Sequence, residues 1–100
     1  MLHTVNKSPL ERNALESCLK HAVKGSAVLL IEDGVYGAMK GTVKSSMVED
    51  AMKDISFYVI RPDLKARGID ESRVIDGIEI IDYHGFVDLA AKYDKTQSWL

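Results

Sequence analysis

One thiol and one imidazole stand a helical turn apart in this chain. The stretch Ala14-Leu15-Glu16-Ser17-Cys18-Leu19-Lys20-His21-Ala22 holds the only cysteine among 100 residues, and His21 follows it three positions later. A cysteine acts as nucleophile or carrier through its thiolate, which a nearby cation or a helix N-terminus stabilises. His21 supplies that cation only if both side chains face solvent. The spacing points the other way. Ala14 and Ala22 lie four residues to either side of Cys18, which places it on an apolar stripe with Leu15 and Leu19. Mid-helix, the end effects of the dipole have faded. Free cysteine packs readily as a small hydrophobe, so residue chemistry favours a packed thiol over a working one.

Other chemical constellations are thinner. His3, His21, His84 and Cys18 are scattered, and no two have the close spacing of a zinc site. No metal is expected. Gly34, Gly37 and Gly41 in "EDGVYGAMKGT" follow neither the dinucleotide fingerprint nor a phosphate loop ending in GK[ST]. No cofactor is expected either. In Asp82-Tyr83-His84, Asp82 reads as a helix cap and His84 as a first-turn surface residue. No nucleophile, base and orienting group line up as an independent enzyme would need.

The elements that must position these residues alternate between strand and helix. Leu2 to Val5 reads as a first strand. Ser8-Pro9-Leu10-Glu11 predicts a helix start, with Ser8 and Glu11 as a reciprocal cap and Pro9 at the first helical position. Apolar residues then recur at helical spacing to Val23, and Gly25 is expected to close the helix. Ala27 to Ile31 is continuously aliphatic, as in a strand covered on both faces, and it breaks at Glu32-Asp33-Gly34. Residues 35–45 suggest a short helical turn and a loop, and 46–53 a second helix. Phe57 to Ile60 reads as a strand stopped by Arg61-Pro62, followed by one or two helical turns over Asp63 to Arg67. Ile78 to Ile81 is a further strand, His84 to Tyr93 a last helix, and a tail ends in Trp99-Leu100.

Such alternation implies βαβ units with right-handed crossovers. The expected fold is a small three-layer α/β sandwich, one domain over residues 1–100, with a mostly parallel sheet of four to five strands. Ligands in open parallel sheets meet the carboxyl ends of the strands. Those ends supply Asn6 and Lys7, Glu32 and Asp33, Arg61 and Asp63, then Asp82, Tyr83 and His84. They read either as a ligand-binding collar or as ordinary loop and cap residues.

Composition narrows the classes further. A net charge of −2 without a Lys/Arg stripe argues against direct nucleic-acid binding. One cysteine excludes an internal disulfide and fits a reducing compartment. Met1 to Lys7 lacks the apolar core of a signal peptide, and Ala27 to Ile31 is too short to span a bilayer. A soluble cytoplasmic protein with no membrane association is expected.

Five segments, in order along the chain, carry a resemblance. They are "LHTVNKSP" (Leu2 to Pro9), "LLIEDGVYGA" (Leu29 to Ala38), "DLKARG" (Asp63 to Gly68), "IIDYHGFVDL" (Ile80 to Leu89) and the closing "QSWL". Together they resemble the DsrH/TusB family of small sulfur-relay subunits. The resemblance implies a flavodoxin-like, DsrE-like fold and membership in a cytoplasmic DsrE–DsrF–DsrH or TusB–TusC–TusD assembly. It implies no metal or organic cofactor. Partners would be DsrE/TusD-like and DsrF/TusC-like subunits, and a DsrC/TusE-like sulfur acceptor. Sulfur in these assemblies travels as a cysteine persulfide passed by thiol exchange, with the principal carrier on the DsrE/TusD subunit.

The Dsr branch serves oxidation of intracellular sulfur, and the Tus branch serves 2-thiolation of the wobble uridine in transfer RNA. "NKSPLERNALESCLKHA" looks closer to the Dsr branch, whose members commonly carry a cysteine in the first helix. By that resemblance Cys18 is an auxiliary persulfide carrier, beside its reading as a core residue. An assembly role also makes Phe86, Tyr93, Trp99 and Leu100 partner-binding residues, since aromatic side chains favour interface cores. Phe86 and Tyr93 pack equally well onto their own sheet. A reading of another class is a small-ligand module built on Glu32, Asp33, Arg61 and Asp63.

Overall fold

The computed structural model describes residues 1–100. In chain order it contains β1 (Leu2–Val5), α1 (Ala14–His21), β2 (Ala27–Leu30), a 3-10 segment (Glu32–Ala38), α2 (Ser45–Ala51) and β3 (Ser56–Ile60). Then come α3 (Arg61–Ala66), a 3-10 turn (Glu71–Arg73), β4 (Glu79–Ile81), α4 (Tyr83–Lys92) and β5 (Thr96–Trp99). The five strands form one parallel sheet in the order β4-β3-β2-β1-β5. It is the expected α/β sandwich.

Strand order and handedness together decide which helix covers which face. From β1 to β4 the chain steps one way across the sheet, so right-handed crossovers put α1, α2 and α3 on the same side. From β4 to β5 it returns the other way, and α4 falls on the opposite side. The two cores agree. Leu15, Cys18, Val48 and Leu64 from the first three helices pack on Val5, Val28, Leu30, Phe57 and Val59. Leu89 of α4 packs on Leu2, Ala27, Leu29 and Ile60. Alternate residues of β2 feed each core, and all four are fully buried. That is why its sequence is unbroken aliphatic rather than alternating. Val28, Leu29 and Leu30 each contribute about 1.5–3 kcal/mol by leaving water.

Three expectations need correction. α1 starts at Ala14, not at Ser8. Ser8 does cap, but it caps an isolated turn: its Oγ accepts from the Leu10 amide at 3.2 Å and its carbonyl from Glu11 and Arg12. Pro9 is buried against Gly37 of the 3-10 segment, so the turn is docked before the helix begins. Gly25 does not cap α1, which ends four residues earlier at His21. It sits instead at φ +90° in the loop to β2, donating its amide to Asp54. The tail is a strand. Thr96–Trp99 pairs with β1 in the register Leu2↔Thr96 to Val5↔Trp99.

Candidate functional site

Cys18 faces the core from α1 with no exposed surface. Burial pushes its thiol up to about 12, because the apolar surroundings disfavour the charged thiolate. At neutral pH the thiol therefore stays protonated, away from its nucleophilic form. His21 lies on the solvent side of the same helix. Its Nδ1–H donates to the Ser17 carbonyl at 2.8 Å, and its ring stands 5.7 Å from that of Trp99.

Trp99 is the centre of a cluster that spacing along the chain does not reveal. Its indole Nε1–H donates to Nδ1 of His3 at 3.1 Å, and the two rings lie 6.2 Å apart. His3 is 3% exposed. Its pKa is held below the ordinary histidine value, first by burial and then by the positive Met1 amino group. The indole thus rests between an imidazole of β1 and one of α1. The two histidines and the tryptophan are brought together by the β1–β5 pairing, which reading residues 94–100 as a tail does not anticipate.

The collar is braced by its own charges. Glu32 adopts the left-handed conformation at φ +50°, and its amide donates to Asp63 Oδ2 at 2.7 Å. Arg67 Nε reaches Asp33 Oδ1 at 2.9 Å, and Arg61 Nε reaches Glu71 Oε2 at 2.8 Å. Gly34 lies so close to β1 that a Cβ there would sit 2.1 Å from the Val5 carbonyl oxygen. Asn6 Oδ1 is buried beside this junction without a partner. Asp82 caps α4 by accepting from the Gly85 amide at 3.1 Å, and that bond lowers its pKa. Lys7, Tyr83 and His84 point to solvent. The largest cavity, about 440 Å³, opens at the other end of the sheet beside Ser56, Tyr58, Gly77 and Glu79. No three His, Cys, Asp or Glu side chains are placed to hold a metal.

The four aromatic and apolar residues singled out for partner binding fall in different places. Phe86 and Tyr93 are half-buried under α4. Trp99 is half-buried on the α1 side. Leu100 is 84% exposed. The outward side of α4 carries Tyr83 and Val87, one turn apart and each more than half exposed. Val87 is apolar like Phe86, Leu89 and Tyr93 of the same helix, but it does not share their packed side. It turns outward because Phe86, Leu89 and Tyr93 already fill the stripe toward the sheet.

Comparison with known proteins adds three results. The family model described as DsrH like protein matches residues 7–96. Protein TusB of Pectobacterium parmentieri is 33% identical, covering 99% of this chain and all of that protein. Protein TusB of Erwinia tasmaniensis is 34% identical over the same shares. Among solved structures, a protein of unknown function, MTH1491 from Methanobacterium thermoautotrophicum, superposes with a TM-score of 0.77 at 15% identity, covering 97% of this chain and 96% of its own. The ychN protein from E. coli does so with a TM-score of 0.77 at 16% identity, over 98% and 97%. At those identities the two structures speak for the fold alone. The sequence matches go further, spanning residues 7–96 in the family model and 99% of the chain in the relatives: this chain belongs to the DsrH/TusB family.

Proposed function

We propose that this protein is a cytoplasmic subunit of a sulfur-relay complex and that it serves the relay mainly by docking and scaffolding. Family membership supports the relay. The observation that carries the docking role is the state of Cys18, fully buried and held protonated. A carrier thiol has to meet its partner's thiol in the open and as thiolate. The partners in this reading are DsrE/TusD-like and DsrF/TusC-like subunits, one bearing an exposed carrier cysteine, with a DsrC/TusE-like acceptor. The apolar residues available for them are Tyr83 and Val87 on α4 and Leu100. Phe86 and Tyr93 support the α4 surface from below, while Trp99, the fourth candidate, packs on the opposite face of the sheet.

The test is co-expression with those two subunits, purification of the complex, and loading with a sulfane donor. An adduct of one sulfur atom's mass is expected on the partner cysteine, with relay activity kept in a Cys18→Ser complex. Loss of that activity in an intact complex would make Cys18 an essential carrier instead. The curated relatives named TusB favour the transfer-RNA branch over sulfur oxidation, whereas the family model bears the Dsr name. Measuring wobble 2-thiouridine in a strain lacking this gene separates the two.

A further inference from the structure

β5 is attached to the rest of the molecule along one side only. It is an edge strand, paired with β1 alone. Thr96, Gln97 and Ser98 are exposed, and only Trp99 reaches inward. Apart from the backbone ladder, the attachments are few: Trp99 to His3, Thr4 Oγ1 to Ser98 Oγ at 3.2 Å, and the His21 ring against the indole. An element with one inward side chain and a solvated ladder opens at a lower free energy than the whole fold.

What Trp99 packs against gives that opening a consequence. The indole lies against the core cluster that contains Cys18, Leu15 and Val5. α1 touches both β1 and β5, and Cys18 sits one helical turn before His21, whose ring rests on the indole. We propose that β5 is a detachable strap, leaving β1 while the other four strands stay folded, and that this opening is the route by which solvent reaches Cys18. The strap governs access alone and stands whether or not Cys18 ever carries sulfur.

Native-state labelling of the full-length protein with an aromatic disulfide reagent over a urea series tests it. The single tryptophan reports strap release by fluorescence, and circular dichroism reports global unfolding. The expected result is labelling whose urea slope is a small fraction of the global slope, since little surface is exposed. Trp99→Phe, which keeps a ring but removes the donor, should speed labelling about tenfold, in line with one lost hydrogen bond. Val48→Ala, in the core under α2, should leave low-urea labelling unchanged. Labelling that carries the full global slope in the wild-type protein would overturn the strap, and that measurement needs no variant to fold. A small slope with no response to Trp99→Phe or Ser98→Ala would place the opening elsewhere and overturn it too.

Discussion

The Trp99 indole donates to Nδ1 of His3, and this bond lasts only while that nitrogen is unprotonated. His3 therefore carries its proton on Nε2. A second proton would set two donors face to face in a site that is 3% exposed. The folded state lowers the His3 pKa, so the unfolded chain binds the proton first. Stability from this site is complete above the ordinary value of 6.5 and is lost as pH falls below it toward the folded pKa. Urea midpoints between pH 7.5 and 5 should decline, and His3→Phe should flatten the part of that decline due to this site. NMR titration of the imidazole gives the folded value directly.

Cys18 supplies the opposite limb. Its thiol titrates at about 12 in the fold against 9.0 for an unperturbed one. The folded state holds the proton longer, so stability is intact below pH 9.0 and falls as pH rises toward about 12. Cys18→Ala should remove this alkaline loss. Cys18→Ser should cost about 1–3 kcal/mol, because its hydroxyl is buried among apolar groups. Urea unfolding at pH 7 and 10 checks both.

Gly34→Ala should be among the most damaging single-methyl additions in the chain. The added carbon would meet a backbone oxygen of β1 at 2.1 Å, and β1 cannot move away from the 3-10 segment without disturbing the sheet. A loss of about 3 kcal/mol is expected, read as a fall in Tm. Gly25→Ala, at φ +90° with open space around it, carries only conformational strain of about 1–2 kcal/mol.

Asp63 holds the Glu32 amide at the left-handed turn after β2. Asp63→Ala should cost about 0.5–1.5 kcal/mol, since the exposed Glu32 amide then turns to water. Glu32→Gly should be tolerated within about 1 kcal/mol, since relief of the strained φ offsets the freer unfolded chain. A double-mutant cycle by urea unfolding would show whether the two positions are coupled.

Val87 is 67% exposed on α4. Val87→Asp should leave Tm within about 0.5 kcal/mol equivalent yet weaken assembly with the two partner subunits by tenfold or more, as expected for a charge placed in an interface core. Calorimetry or pull-down of the co-expressed complex measures this. Unchanged assembly would remove the α4 face from the docking surface.

Elements with their own apolar period were readable in advance: α1 from Leu15 onward, β2, β3 and α4. The collar residues were also placed correctly at the strand ends. Their bracing was not legible, because the Glu32–Asp63 and Asp33–Arg67 contacts span more than thirty positions. β5 escaped for a related reason. "TQSW" has no hydrophobic face, and it is a strand only because β1 offers it a partner. The early turn at Ser8 misled because a capping pattern specifies a first turn, not the helix that must continue from it. Cys18 was placed on the packed stripe by spacing alone. Its protonation state follows only from the fifteen-residue cluster that encloses it.

The β1–β5 pairing also shapes how the chain is made. Thr4 and Ser98, which bond across the two strands, are 94 positions apart. During synthesis β1 emerges first and must wait through nearly the whole chain for its outer neighbour. For that interval its outer edge is an unsatisfied template, the kind that recruits stray strands. Contacts so distant also slow folding. A nascent chain of this protein is therefore most exposed to misassembly along its first strand, and a chaperone that masks Leu2 to Val5 would protect it best.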